Sequence, residues 1–377
     1  MPLQTYTVSY SLDGISGFTA LTNLQGIQIS LGRGAQLDQV KASTATFELR
    51  YPTGYASPVT ALVSGTYIKI ENTTGSAYTI WRGRISDVSA RYGIPFVSGV
   101  GQADFLSVTC EGNFAAVGRM QGENYAMAAG GLSQQCLDAY NESGVEIQFI
   151  TSGGEPQMAA TTVSSTWADW VARAALTVNA RLWDSSTANG SWIVSPFFSN
   201  VSTVNFSDTE NNATNQIYNQ INFDSLSDNF YTQIQVDPES YGVATVTKAG
   251  ASLPYRTYQV NTLNDSTSQA TDYANYLLAN YGTAQFAISS FTCMAEAQSS
   301  FQLDKIGYES LMPQAPGTQV SVAFRGTTYQ CIIEGVTMSA TPAGASFTYF
   351  VSGADLNAYL ILDNTVFGTL DYNKLGY

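Results

Sequence analysis

The hairpin "GTYIKIENTTGSAYTIWRGRIS" at residues 65–86 returns as "GTQVSVAFRGTTYQCIIEGVTM" at 317–338. Both copies open on Gly-Thr, at Gly65-Thr66 and Gly317-Thr318. Ile68 and Ile70 alternate with Lys69 and Glu71, and Val320 and Val322 alternate with Ser321 and Ala323. A turn rich in Thr and Gly follows in each. The returning strand carries a glycine, and the pattern matches Gly83 to Gly335. Alternation sets one face of a strand on a core and the other outward. A glycine inside a strand marks a bulge or a close backbone approach. Chance similarity is one reading, since hairpins share composition. The sharper reading is a duplicated β-barrel or sandwich unit, one near each end of the chain.

The chain between the copies divides by texture. Residues 1–114 read as β, with "GIQISL" and "TATFELR" alternating and turn signals at short spacing, as in a small barrel. Residues 115–198 read as a small α+β domain. There Leu132, Cys136, Leu137 and Tyr140 lie at helical spacing before Gly144. A second helix starts after Ser165 or Thr166 and carries Trp167, Trp170, Val171, Ala174, Ala175 and Val178 on one stripe. "ARLWD" and "SWIVSPF" read as a hairpin. Residues 199–240 form a polar β linker with two strands and a turn near Ser225–Asp228. The second β-barrel domain spans 241–353. It is expected to carry on its flank the helix "TSQATDYANYLLANYG", capped by Asp265 or Ser266 and stopped at Gly282. The fold class expected is mainly β with α+β insertions.

Composition removes whole classes of chemistry. The 377 residues contain no histidine, which excludes Ser-His-Asp, Cys-His and HExxH sites. The four cysteines form no CxxC pair and read as buried thiols of a reducing compartment. "GRG" at 32–34 lacks the lysine of a phosphate loop, and "GVGQAD" at 99–104 lacks the third glycine of a dinucleotide fingerprint. No GxSxG elbow occurs. A glycosidase needs only two carboxylates, but nothing singles out a pair among the 29 acidic residues. "SDTENN" at 207–212 lacks the alternating ligands of a calcium loop and reads as solvated. The expectation is no catalytic residue, no metal and no cofactor. "MPLQTYTVSY" has neither a basic start nor an apolar run, so neither signal peptide nor membrane anchor is expected. A net charge of -14 with only 12% charged residues makes a poor general binder of nucleic acid. It suits a surface along which DNA slides without sticking.

Several segments carry a family resemblance. "ISLGRGAQLDQVKASTATFELRYPTGYASP", followed by "GTYIKI" and "IWRGRISDVSARYG", resembles the opening of minor tail proteins of long-tailed, siphovirus-type bacteriophages. "INFDSLSDNFYTQIQVDPE" and "PYRTYQVNTLNDSTSQATDYANYLLANYG" resemble their central and distal portions. "LDNTVFGTLDYNKLGY" is similar to the ends of such proteins in phages of actinobacteria. Within that class the doubled hairpin is similar to the tail hub of phage baseplates. The resemblance implies a homotrimeric ring of two tube-like barrels per chain, joining a six-fold tube to a three-fold tip. It implies a tube or distal tail protein above, tip or fibre proteins below, and DNA or a tape-measure protein in the lumen without sequence-specific binding. It places the protein in the virion tail tip, after folding and assembly in the host cytoplasm. Ring contacts are expected from Ile68, Ile70, Trp81, Arg82, Arg84, Val320, Val322 and Ile333.

Residues 354–377 read as a docking tail, apolar and aromatic with turn formers between. Phe367, Leu370, Tyr372, Leu375 and Tyr377 would be wasteful exposed groups unless they covered a neighbour. Two alternatives stand beside the hub. A distal tail protein forms a hexameric ring, and typically needs only one barrel per chain. A receptor- or carbohydrate-binding tip module would use the Tyr and Trp content for sugar stacking.

Overall fold

The computed structural model describes residues 6–52, 62–73, 78–92, 103–144, 147–150, 157–185, 191–194, 202, 204–209, 215–225, 230–283, 286–296 and 315–353. The first strands are β1 (Tyr6–Ser11), β2 (Thr19–Ala20), β3 (Leu24–Gly32), β4 (Thr44–Pro52), β5 (Tyr67–Asn72), β6 (Tyr78–Arg91) and β7 (Ala103–Glu111). They lie side by side in the order β3-β4-β7-β6-β5-β1-β2.

The middle of the chain begins with α1 (Asn113–Val117), β8 (Tyr125–Met127), β9 (Gly130–Gly131) and α2 (Leu132–Ser143). It continues through β10 (Ile147–Ile150), β11 (Gln157–Met158), β12 (Thr161–Val163), α3 (Trp167–Thr177), β13 (Arg181–Asp184) and β14 (Ser191–Val194). Next come β15 (Asn205–Ser207), β16 (Asn215–Ile217), β17 (Gln220–Asp224), β18 (Gln233–Pro238), β19 (Ala244–Thr247) and β20 (Thr257–Thr262). The last elements are α4 (Thr267–Tyr281), β21 (Ala287–Glu296), β22 (Gln319–Phe324), β23 (Thr327–Thr341) and β24 (Gly344–Gly353).

The second group of strands repeats the first. β22, β23, β24, β21 and β17 pair in sequence, as β5, β6, β7, β4 and β3 do. β15 takes the place of β1, but it runs parallel to β22 whereas β1 is antiparallel to β5. Two barrels were expected. Among the described residues no barrel closes, and both halves belong to one 14-stranded sheet. The reason lies in β23, whose 15 residues outrun its hairpin partner. Its beginning pairs with β22, and Gly335–Ala340 then pair with β3 on the same edge. One apolar core runs beneath both halves, from Tyr6 and Val8 to Tyr349 and Val351.

The helices follow local chemistry. Thr166 caps α3, its hydroxyl accepting from the Asp169 N–H at 3.3 Å while the Asp169 carboxylate accepts from the Thr166 N–H at 3.3 Å. Trp167, Trp170, Val171, Ala174 and Ala175 are buried in a second core that α2 shares. The face of α2 differs from the expected one. Leu132, Gln135, Cys136 and Ala139 face inward, while Leu137 and Tyr140 are exposed. Gln135 tolerates burial because its amide donates to the Ala128 and Ala159 carbonyls at 2.9 and 3.1 Å. β13 and β14 pair as the expected hairpin.

Ser266 caps α4. That helix packs on a separate three-stranded sheet, β19-β18-β20, through Ala270, Ala274, Leu277 and Tyr281, rather than on the second hairpin unit. The two strands read in the polar linker also part company. β17 pairs with β21 in the large sheet and β18 with β19 and β20 in the small one. Among the described residues no helix is long and apolar enough to cross a membrane.

Candidate functional site

The repeated hairpins share their register where they open, from Tyr67 to Ile70 in the first and Gln319 to Val322 in the second. The Gly65 N–H donates to the Ile85 carbonyl at 2.8 Å, and the Gly317 N–H to the Ile333 carbonyl at 2.7 Å. The Ile85 N–H returns to Thr66 O, and the Ile333 N–H to Thr318 O, both at 2.9 Å. Gly65 and Gly317 share φ 91°, open to glycine and strained for other residues. Ile85 therefore corresponds to Ile333, and the bulge that follows each is Ser86 in one half and Glu334 in the other. This corrects the sequence match. Gly83 lies opposite Ile68 as Cys331 lies opposite Val320, so Gly83 corresponds to Cys331 and not to Gly335. Three of the four residues of slip arise in the connections, five residues long against two, and the fourth in a bulge at Ile80 that the second copy lacks. The second copy turns tightly through Arg325 and Gly326, both at positive φ, while the first has a longer connection.

The expected ring contacts separate into two groups. Ile68, Ile70, Trp81, Val320, Val322 and Ile333 are all buried in the shared core. They hold the halves together from inside and present no surface. Arg82 and Arg84 alternate outward from Trp81 and Ile85. Arg82 lies over the Phe18 ring at 5.3 Å, and Arg84 over Tyr67 at 4.5 Å. Phe367, Leu370, Tyr372, Leu375 and Tyr377 lie outside the described residues.

The feature that sequence reasoning missed is the joint between the halves. Gly335 sits opposite Gly32, Val336 opposite Leu31, Met338 opposite Ile29 and Ala340 opposite Ile27. The Arg33 N–H donates to the Glu334 carbonyl at 3.1 Å. The bulge turns the Glu334 side chain fully inward. Arg33 Nε donates to Oε2 at 3.0 Å and Arg181 Nη2 to Oε1 at 2.5 Å. Ser352 donates to the same carboxylate. Burial works to raise this carboxyl, but the charges of Arg181 and Arg33 and the hydrogen bonds of Arg181 and Ser352 outweigh it and hold it at about 2. One carboxylate thus ties β3 and β23 to β13. Gln36, just beyond β3, extends the tie to α4 by accepting from Tyr281 at 2.6 Å. Asp184, at the end of β13, accepts from the Ser43 and Phe114 N–H groups at 2.9 and 2.6 Å.

Besides the short end strands β16 and β2, two stretches of the large sheet have an edge with no strand partner among the described residues. One is the far half of β6, Asp87–Arg91, which pairs only with β7. The other is the outer edge of β17, which pairs only with β21. Val88, Ile221 and Phe223 are partly buried against the core there, and Tyr92 is 67% exposed. The described residues hold no group of His, Cys, Asp or Glu arranged to bind a metal. The four cysteines are buried thiols, with burial pushing Cys331 up to about 12. Asp38, Asp169 and Arg173 line an open cleft beside α3, where Asp169 serves the helix cap.

No protein-family profile matches the chain, and no curated protein matches it. Solved structures do. The 43 kDa tail protein of prophage MuSo2 from Shewanella oneidensis aligns over 93% of this chain and 99% of its own, with TM-score 0.63 at 14% identity. A tail protein from Neisseria meningitidis MC58 aligns over 93% and 97%, with TM-score 0.63 at 11% identity. The type VI secretion component c3393 of E. coli, itself similar in structure to the T4 phage tail proteins gp27 and gp5, aligns over 88% and 74%, with TM-score 0.50 at 11% identity. At such identities what is shared is the fold, and it is the fold of tail proteins along nearly the whole chain.

Proposed function

We propose that this protein is a structural, non-enzymatic component of a bacteriophage tail. In this reading it is the hub ring that joins a six-fold tube to a three-fold tip and lets DNA pass. The observation that carries the reading is the register-matched pair of half-sheets in one chain, within a fold shared with tail proteins over 99% and 97% of their length. Three chains offer six similar units to a tube on one side and keep three-fold symmetry on the other. A tube or distal tail protein then sits above, tip or fibre proteins sit below, and the ring belongs to the virion. The lumen passes DNA or a tape-measure protein without gripping it, in keeping with a net charge of -14. Assignment to a long-tailed phage of actinobacteria rests on the resemblance of the opening and closing segments.

Native mass spectrometry at high protein concentration tests the reading. The expected species is three times the 40.5 kDa chain, about 120 kDa. A hexamer would replace the hub by a distal tail ring. The closing segment is proposed to dock on a neighbouring chain through Phe367, Leu370, Tyr372, Leu375 and Tyr377. Deleting 364–377 is then expected to weaken the trimer while leaving the thermal melt of the monomer in place. A truncated chain that assembles normally would refute the docking.

A further inference from the structure

The joint inside the chain predicts a joint between chains. Matching the halves strand by strand makes Val88 equivalent to Val336, Val108 to Tyr349, Phe47 to Phe291 and Ile27 to Ile221. All four steps agree in register. The internal joint pairs β3 of the first half with β23 of the second. In the complementary pair, β17 of the second half and the far half of β6 of the first, both edges are open: each pairs on one side only among the described residues.

The equivalent side chains show what each edge lacks. At the internal joint Ile27, Ile29, Val336, Met338 and Ala340 are at most 2% exposed. Their counterparts Ile221, Phe223 and Val88 are only partly buried, Ala90 is exposed, and Tyr92 is 67% exposed. Apolar groups on an open strand edge are a template for another strand.

We propose that copies of this chain join by antiparallel pairing of β6 in one with β17 in the next. The register sets Tyr92 opposite Ile221, Arg91 opposite Asn222, Ala90 opposite Phe223 and Ser89 opposite Asp224. The inference rests on the ring reading above and specifies its contact. On the core-facing side the pairing covers Tyr92, Ala90, Ile221 and Phe223, continuing the single core from chain to chain. On the other side Arg91 lies diagonal to Asp224, an opposite-charge neighbour at cross-strand distance. The contact is head-to-tail, so it closes into a ring when the rotation per copy divides a full turn. Within one chain the two edges stand seven strand steps apart through β21, β24, β23, β3, β4 and β7. That is about 34 Å along the sheet at about 4.8 Å per strand.

The test is a disulfide placed across the joint in the full chain. Arg91 and Asn222 are exposed, so Arg91→Cys with Asn222→Cys leaves the core intact, and the native cysteines are buried. Mild oxidation is expected to give a non-reducing gel ladder of two and three chains, ending at three. The control combines Asp87→Cys with Asn222→Cys. It shifts the register by four residues, about 13 Å, beyond disulfide reach, and is expected to give no ladder. Circular dichroism confirms that both variants fold. A trimer by native mass without the Arg91–Asn222 link overturns the proposed joint and leaves the hub reading standing. A ladder that runs on past three supports the joint and overturns the closed ring. Equal ladders from both pairs, or none from either, overturn the joint.

Discussion

Replacing Glu334 by alanine is expected to destabilise the protein by about 3–5 kcal/mol, the cost of leaving buried charge without its partner. Arg33 and Arg181 are 5% and 2% exposed at the side chain, and both meet this carboxylate. Removing it leaves two guanidinium groups facing each other inside the sheet. Urea unfolding of the variant measures the loss, and a cost below about 1 kcal/mol would show that water or a rearrangement compensates. Converting all three together, with Arg33→Met, Glu334→Leu and Arg181→Met, is expected to recover most of the loss, since no charge then stays unpaired. The same site sets an acid limit. The folded-state carboxyl is held at about 2, below its unfolded value of 4.5, so its contribution is fully present above pH 4.5 and is lost as pH falls through 2. The wild type is expected to lose stability steeply across that window, and Glu334→Gln to show a shallower slope there.

Replacing Gly335 by alanine is expected to open the internal joint at a cost of about 3 kcal/mol, at the upper end for forcing extra volume into a packed site. A Cβ at Gly335 would lie 2.4 Å from the Arg33 carbonyl oxygen and 2.7 Å from that of Leu31. Both are backbone atoms of the partner segment, so no rotamer relieves the clash. Hydrogen exchange locates the effect: amides of Ile27, Ile29 and Leu31 should exchange faster while those between β4 and β7 change little. Gly65→Ala is the contrast. Gly65 has φ 91° but open space around its Cβ, so only backbone strain of about 1–3 kcal/mol is expected, with the joint intact. Equal exchange profiles for the two variants would show that the contact at Gly335 is not what holds the joint.

What was legible in the sequence was local. Alternation marked β3, β5 and β22, and capping chemistry marked α3 and α4, because strand and helix periods act over a few residues. What was not legible depended on pairing across hundreds of positions. Glu334 reads as an ordinary outward residue in "CIIEGVTM"; the bulge at that position turns it inward, so that Ile333, Glu334 and Val336 are all buried. Arg181, in "ARLWD", gives no hint that its partner lies 153 residues away. Six of the expected ring contacts, Ile68, Ile70, Trp81, Val320, Val322 and Ile333, lie in the core for a related reason. The hairpins repeat because they build the core, so their shared apolar residues point inward. The residues that distinguish an open edge from a closed one, Val88 to Tyr92 and Ile221 to Asp224, look like any half-buried strand. Only the placement of the second half beside the first shows which edges remain.

The internal joint also sets an order of events during synthesis. β3 is complete at residue 32, but its partner in β23 is not complete until residue 340. At about 5–20 residues per second, that delay is about 15–60 s. Throughout it the nascent chain carries a strand with Ile27, Ile29 and Leu31 along an unfilled edge. A chain cut short before β23 never fills that edge. Early termination thus produces a species ready to pair with its neighbours, and full-length translation is itself the step that removes the hazard.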